Sequence, residues 1–135
     1  MSRASTHRSG DVAYNGKHLY TVTGRVVAAA STQRFGHFVA PCDGRIVAAL
    51  VNTVVTPTHA TSDLSFGKVS DIDSHINEID WQNHATGVVD LAALGSEGTD
   101  PYLDFDIVKG EVYAWGFVGG DTTGELVTTM VIEPS

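Results

Sequence analysis

Histidine is the residue type in this chain that most readily suggests metal chemistry. Its six copies are His7, His18, His37, His59, His75 and His84. None of them forms an H-x-H or H-x-x-x-H pair, whereas a metal centre in a jelly roll would normally use two histidines one residue apart together with a carboxylate. Since iron or zinc needs several converging nitrogen and oxygen ligands, this spacing predicts no metal site and no cofactor.

Two aspartates, Asp71 and Asp73, match the opening of a calcium-binding loop. Such a loop also needs a glycine at its sixth position and a glutamate at its twelfth, where this chain has Ile76 and Gln82. The stretch Ser70 to Ala85 instead has isoleucines at spacings of four and three, which predicts one or two helical turns with the acids near the helix start. We therefore interpret these acids as helix-capping and solvated residues.

A second acidic pair, Asp104 and Asp106, falls on one face of a predicted strand, about 7 Å apart along it. That separation would suit the paired carboxylates of a glycoside hydrolase. Alternating acids are more commonly the wet face of a half-buried strand, and no sugar cleft is evident. The chain also has no G-x-S-x-G elbow and no phosphate-binding loop, and Cys42 lacks a neighbouring cation that would activate it. The sequence thus predicts a protein that is not an enzyme.

The stretch from Phe35 to Val55 supplies the strands around which the rest must be arranged. Pro41 and Asp43-Gly44 predict a tight turn, hence a hairpin of Phe35–Ala40 with Arg45–Val55. The second strand is apolar at both odd and even positions, so it is expected to be a central strand covered on both faces.

The remaining elements also have mostly β character. The predicted strands are His18–Ala30, Leu64–Val69, Tyr102–Val108, Glu111–Val118 and Gly124–Ile132, with Val88–Leu94 either a short strand or a 3₁₀ turn. Within the first of these, Gly24 predicts a bulge or a close backbone approach. A chain of 135 residues with 42% hydrophobic residues is expected to form one domain. We predict an all-β fold: an antiparallel β-sandwich or jelly-roll-like domain over residues 18–135, preceded by an extended N-terminal arm, residues 1–17.

The net charge of −8 is unevenly distributed. Five of the eight Lys and Arg residues, but only one of the 16 acids, lie in residues 1–34. A basic arm on an acidic body suggests an acidic partner: nucleic acid, another protein or a neighbouring copy of this chain. A solvated polar tail is the alternative interpretation.

The strand near residue 115 presents three aromatic side chains, Tyr113, Trp115 and Phe117, on one face. They could form the sandwich core. If the core instead uses Val112, Ala114 and Val118, the aromatic residues form an exposed row. We take this row as a hypothetical subunit interface, with a ligand platform as the other possibility.

Nothing in the sequence predicts a membrane or secretory route. No apolar run reaches about 18 residues, and the N-terminus lacks the apolar core of a signal peptide. A single cysteine excludes an internal disulfide. We expect synthesis in a host cytoplasm and no contact with a membrane.

The order of these features resembles that of the head-decoration, or capsid cement, proteins of tailed bacteriophages. The resemblance rests on YTVTGRVVAA after a polar arm, P-x-D-G-x-I at Pro41 to Ile46, F-D-I-V-K-G-E-V at Phe105 to Val112, and V-I-E-P at Val131 to Pro134. It implies a virion structural protein, a homotrimer on the outer capsid surface whose arm lies across the major capsid protein, without a nucleic-acid partner. As hypothetical arm contacts we name Arg3, His7, Arg8, Tyr14 and Lys17.

A second functional class stays open from the sequence. The chain could be a carbohydrate-binding jelly-roll module of a tail or surface structure. It would then grip host glycan through Tyr113, Trp115 and acidic loops.

Overall fold

A computed structural model describes the backbone of residues 11–14, 17–29, 31–94, 96–97, 100–101, 105–118 and 123–135. Its strands are β1 (Asp11–Tyr14), β2 (Lys17–Val27), β3 (Gln33–Val39), β4 (Gly44–Val55), β5 (Asp63–Lys68), β6 (Asp71–Asp80), β7 (Gly87–Asp90), β8 (Ser96–Glu97), β9 (Asp100–Pro101), β10 (Phe105–Ile107), β11 (Val112–Phe117) and β12 (Glu125–Pro134). A single helical turn, α1 (Leu91–Leu94), follows β7.

The strands form two antiparallel sheets that face each other. Sheet A has the order β1-β2-β12-β4-β10, with β7 also paired to β4, and sheet B has the order β3-β11-β5-β6. A small separate ladder joins β8 and β9. Buried side chains from both sheets form one hydrophobic cluster between them. The all-β sandwich predicted from the sequence is therefore confirmed.

Strand β4 is central, as predicted, but the predicted hairpin is wrong. β4 pairs with β12 on one side and with β10 and β7 on the other, whereas β3 belongs to sheet B and pairs with β11. The turn at Pro41 to Asp43 thus carries the chain from one sheet to the other. Asp43 fixes this crossing, since its carboxylate accepts a hydrogen bond from the Lys109 amide at 2.8 Å and its carbonyl accepts one from the Ser135 amide at 3.0 Å.

The helical turns predicted between Ser70 and Ala85 are also wrong, because most of that stretch is strand β6. Leu64 pairs with Ile79 and Phe66 pairs with Ile76, so two residues along β5 match three along β6. This bulge lets Ile76 and Ile79 both enter the core at a spacing of three. The isoleucine spacing therefore arose from an irregular strand.

The two sheets approach each other closely at a pair of glycines, which confirms the close backbone approach predicted at Gly24. A Cβ on Gly24 would lie 2.7 Å from the Cα of Gly36, on the facing strand of sheet B. Gly36 itself has φ +64°, and a Cβ there would lie 3.0 Å from the Trp115 ring. Side chains at either position would separate β2 from β3.

The sheet begins earlier than the predicted domain boundary. β1 pairs with β2 from Asp11 opposite Tyr20 to Tyr14 opposite Lys17, so the predicted boundary between residues 17 and 18 falls inside a hairpin. Of the predicted arm, only residues 1–10 precede the first strand, and they lie outside the described residues.

Candidate interaction surfaces

The aromatic row on β11 lies in the core, which corrects the hypothesis of an exposed subunit interface. The exposed fractions of Tyr113, Trp115 and Phe117 are 0%, 2% and 1%. Phe66 of β5 lies beside this row, with its ring centroid 6.0 Å from Tyr113 and 5.1 Å from Trp115. Both faces of β11 are apolar, so alternation alone could not tell which face meets sheet A.

The other face of β11 is also covered. A Cβ on Gly116 would lie 2.9 Å from Ile72 Cγ1 and 2.9 Å from Ser65 Oγ. Ile72 comes from the irregular part of β6, between the register points at Asp71 and Ile76. Sheet B is therefore closed on both sides at Gly116, whereas Val112 and Val39, which lie opposite each other on β11 and β3, stay exposed.

The outward face of sheet A is different, and no sequence motif marks it as a site. We use the name outer face of sheet A for three cross-strand rows on β2, β12 and β4: Arg25–Val127–Asn52, Thr23–Thr129–Leu50 and Thr21–Val131–Ala48. The alternating residues of β12, from Leu126 to Ile132, are buried in the core. The outer face is therefore built almost entirely from short aliphatic and hydroxyl side chains.

Charges on this face lie at its two ends, where each arginine has a glutamate beside it. Arg25 forms an ion pair with Glu125 at 2.8 Å at one end, and Arg45 lies 3.7 Å from Glu133 at the other. The middle rows carry no charge. Such a surface can be buried against another protein with little desolvation of ionised groups. The sequence signal for this face is the uncharged run on both faces of β4, a pattern that also fits a strand covered on both sides.

The opposite edge of the sandwich is strongly acidic. Strand β6, the last strand of sheet B, carries Asp71, Asp73, Glu78 and Asp80, all of them exposed. Asp80 lies directly opposite Asp63 of β5. Burial raises the pKa of Asp63 above its ordinary value, and the neighbouring charges of Glu78 and Asp80 raise it further. Acids on an edge strand discourage pairing with a further strand, which is a structural role.

The described residues give no support to a metal site or to a catalytic pair of carboxylates. Among the described side chains, no three His, Cys, Asp or Glu residues are grouped as a metal ion would require. A side-chain hydrogen bond between Asp71 and Asp73, in which the protonated Asp71 carboxyl donates, raises the pKa of Asp71 above its ordinary value. Asp104 lies outside the described residues, so its predicted pairing with Asp106 is not tested.

Two of the described histidines, His75 and His84, contact aromatic rings. His75 lies edge-on to Tyr113, with ring centroids 5.5 Å apart, and its Nε2 donates to the Asp106 carbonyl at 3.0 Å, which links sheet B to β10 of sheet A. His84 stacks on the buried Trp81 with centroids 4.1 Å apart. The Trp81 indole donates to Thr53 Oγ1 of β4 at 2.9 Å, which ties the loop after β6 to sheet A.

A groove of about 570 Å³ opens at one end of sheet A. It is lined by Asp43, Gly44, Arg45, Asp106, Ile107, Val108, Glu133, Pro134 and Ser135. Asp106, Arg45 and Glu133 form one cross-strand row over β10, β4 and β12. Three carboxylates thus line the groove together with one guanidinium and the apolar Ile107 and Val108.

The predicted arm contacts are only partly located. Arg3, His7 and Arg8 lie outside the described residues. Tyr14 and Lys17 lie opposite each other where the hairpin of β1 and β2 turns. No described helix is long and apolar enough to cross a membrane.

A comparison with solved structures finds a similar fold in a phage capsid chain. A chain titled cyanophage Pam1 capsid asymmetric unit superposes with a TM-score of 0.54 at 9% sequence identity. The superposition covers 99% of this chain and 98% of that chain. No protein-family model and no curated protein matches the sequence. At this identity the likeness defines a shared β-sandwich fold.

Proposed function

We propose that this chain is a structural protein of a phage virion, a decoration protein on the outer surface of the head that has no catalytic role. The observation that carries the proposal is the end-to-end likeness of its fold to a chain of a cyanophage capsid asymmetric unit, covering 99% of one and 98% of the other. The sequence resemblance to capsid cement proteins, made from different features, points the same way.

The outer face of sheet A is the surface that lies on the capsid shell in this proposal. The whole chain carries a net charge of −8, yet on this face Arg25 is paired with Glu125 at one end, Arg45 lies beside Glu133 and Asp106 at the other, and the middle rows carry no charge. An acidic body facing outward keeps decorated particles soluble and mutually repelling. The face that meets the major capsid protein is then the one that loses least by being desolvated.

The N-terminal arm adds a second attachment in the assembled particle. Residues 1–10 include Arg3, His7 and Arg8 and no acid, and they join sheet A at β1. Ordering an extended segment costs about 1–2 kcal/mol of backbone entropy per residue, so one arm alone would bind weakly. Three arms on a trimer act at a high effective concentration and can clamp several capsid subunits together.

The carbohydrate-binding alternative lacks the exposed aromatic residues on which it depended. It required Tyr113 and Trp115 as an exposed platform, and both side chains are buried in the sandwich core. No described feature favours this function over the virion role.

Co-sedimentation tests the proposal. Purified chain is mixed with expanded shells that lack decoration, and light scattering after size exclusion gives the mass of the free protein. We expect saturable binding to shells and a trimer mass. A chain that remains in the supernatant at every concentration would rule out the decoration role, and a monomer or dimer mass would rule out the trimer.

A further inference from the structure

The groove at the end of sheet A is continuous with the outer face of sheet A. Glu133, Arg45 and Asp106 form the next outward row after the Thr21–Val131–Ala48 row. The adjacent Ile46 is buried in the core, so the side chains of this row point away from it. A partner that lies on the outer face of sheet A would therefore also cover the mouth of the groove.

The size and walls of the groove suit one long side chain. Its volume of about 570 Å³ lies within the range of about 300–1,000 Å³ that is usual for ligand pockets. Val108, which is 49% exposed, and Pro134 provide apolar surface in its lining. A side chain with an aliphatic stem can bury that stem here and keep its polar end at the rim.

The charges of the groove favour a cation at that polar end. Three carboxylates and one guanidinium line it, so acids exceed bases by two. Glu133 has Arg45 at 3.7 Å, and the Asp43 carboxylate accepts a hydrogen bond from the Lys109 amide. Within the described part of the chain, Asp106 takes part in no ion pair. An incoming cation therefore gains most beside Asp106.

Two other occupants fit this groove less well. Nucleic acid would bring its phosphates against an excess of carboxylates. A metal ion needs three or more ligating side chains in one group, and the described residues contain no such group. In the groove, the Arg45 guanidinium lies between the two carboxylates of the row.

We propose that the groove receives an arginine or lysine side chain of the protein on which the outer face of sheet A lies. The cation lies beside the Asp106 carboxylate, and the aliphatic stem packs against Val108 and Pro134. The inference rests on the proposed function and adds the chemistry of the partner: an uncharged surface with one basic residue at its border. That residue fixes which way round the partner lies on the sheet.

The groove is tested first on the free full-length chain, with N-acetyl-arginine amide as the probe. The citrulline analogue has the same shape without the charge and serves as the control ligand. We expect the arginine probe alone to give saturable shifts in the amide NMR signals of Ile107, Val108 and Ser135. Asp106→Asn should weaken its binding about threefold, as the loss of one screened ion pair allows, and Asp73→Asn on β6 should leave it unchanged.

Two results with the probes would overturn the inference. Equal shifts with the arginine and citrulline probes would mean that the groove does not select a cation. Shifts centred on β6, or unchanged binding by Asp106→Asn, would mean that the probe is attracted only by the general acidity of the chain.

Co-sedimentation with undecorated shells then tests the source of the cation. Asp106→Asn should bind shells about threefold more weakly than wild type and Asp73→Asn, with a smaller loss of binding when salt is added. If wild type binds shells and Asp106→Asn binds equally well, the proposed function stands and this inference is wrong. If wild type does not bind shells, the proposed function fails, and the capsid is overturned as the source of the cation.

Discussion

The two sheets use opposite kinds of side chain for opposite purposes. The central strand of sheet B turns Tyr113, Trp115 and Phe117 into the core, and its other face is closed at Gly116 by Ile72. The central strands of sheet A send small aliphatic and hydroxyl side chains outward, uncharged apart from the paired ends. The aromatic residues of sheet B therefore stabilise the fold. The surface suited to a partner is the outer face of sheet A, which has small side chains.

The strongest test of this contrast is truncation of a core aromatic residue. Trp115→Ala should lower the free energy of unfolding by about 3–5 kcal/mol, because it leaves a cavity beside Phe35 and Phe66. Thr129→Ala, on the outer face of sheet A, should cost less than about 1 kcal/mol. Denaturant unfolding of both variants measures the difference. Equal losses would show that the two sheets do not divide their roles in this way.

The next largest effect concerns the point where the sheets meet. Gly24→Ala should destabilise the chain by about 1–3 kcal/mol, because the new methyl group would meet the Gly36 backbone. Gly110→Ala is the matched control: its φ of +87° is unfavourable for alanine, but nothing lies within 4 Å of the added Cβ. The control should lose about 1 kcal/mol through conformation alone. If Gly24→Ala lowers the free energy of unfolding by no more than the control does, β2 and β3 can move apart at this point without a large cost.

A smaller effect tests the link from the loop after β6 to sheet A. Thr53→Val removes the acceptor of the buried Trp81 indole and keeps the side-chain shape. An unsatisfied buried N–H costs about 1–3 kcal/mol, so the loss of stability should fall at the low end of that range if the loop can relax. Thermal unfolding measures it, with Thr23→Val on the exposed face as control. A change no larger than that of the control would show that this bond does not join the sheets.

The smallest effect comes from the acidic edge and depends on pH. The pKa of Asp63 is raised in the folded chain above its ordinary 3.8, so the folded state holds this proton more tightly than the unfolded state. Protonated Asp63 therefore stabilises the folded state. This contribution is complete below pH 3.8 and is lost as pH rises through the pKa of Asp63 in the folded chain. Asp63→Asn should therefore gain roughly a few tenths of a kcal/mol at pH 7 and little at pH 3. Stability measured across this pH range should show no such gain for Glu111→Gln.

Local patterns in the sequence predicted some elements and not others, for identifiable reasons. The two-faced apolar alternation of Arg45–Val55 correctly predicted a central strand, and Gly24 correctly predicted a close approach. The Pro41 to Gly44 turn could not show that β3 and β4 join different sheets, because the same turn chemistry serves a hairpin and a crossing. Bulges in β6 gave its isoleucines a helical spacing.

The candidate surfaces were harder to predict because they depend on strand order. The groove exists only because β10 and β12 flank the start of β4, and the outer face of sheet A requires β2, β12 and β4 to be neighbours. Residues 11–14 looked like the rest of a polar arm, yet their backbone pairs with β2. In each case the missing information is the pairing of strands distant in sequence.

One measurement tests the central claim most directly: co-sedimentation of an outer-face variant with undecorated shells. Thr129→Lys places an unpaired charge in the middle of the outer face of sheet A, and Val39→Lys places the same charge at an exposed position on sheet B. We predict that wild type and Val39→Lys bind alike, and that Thr129→Lys, still folded, binds at least about tenfold more weakly because burial leaves its charge unpaired. Undiminished binding by Thr129→Lys, or no binding by the wild type, would contradict the account.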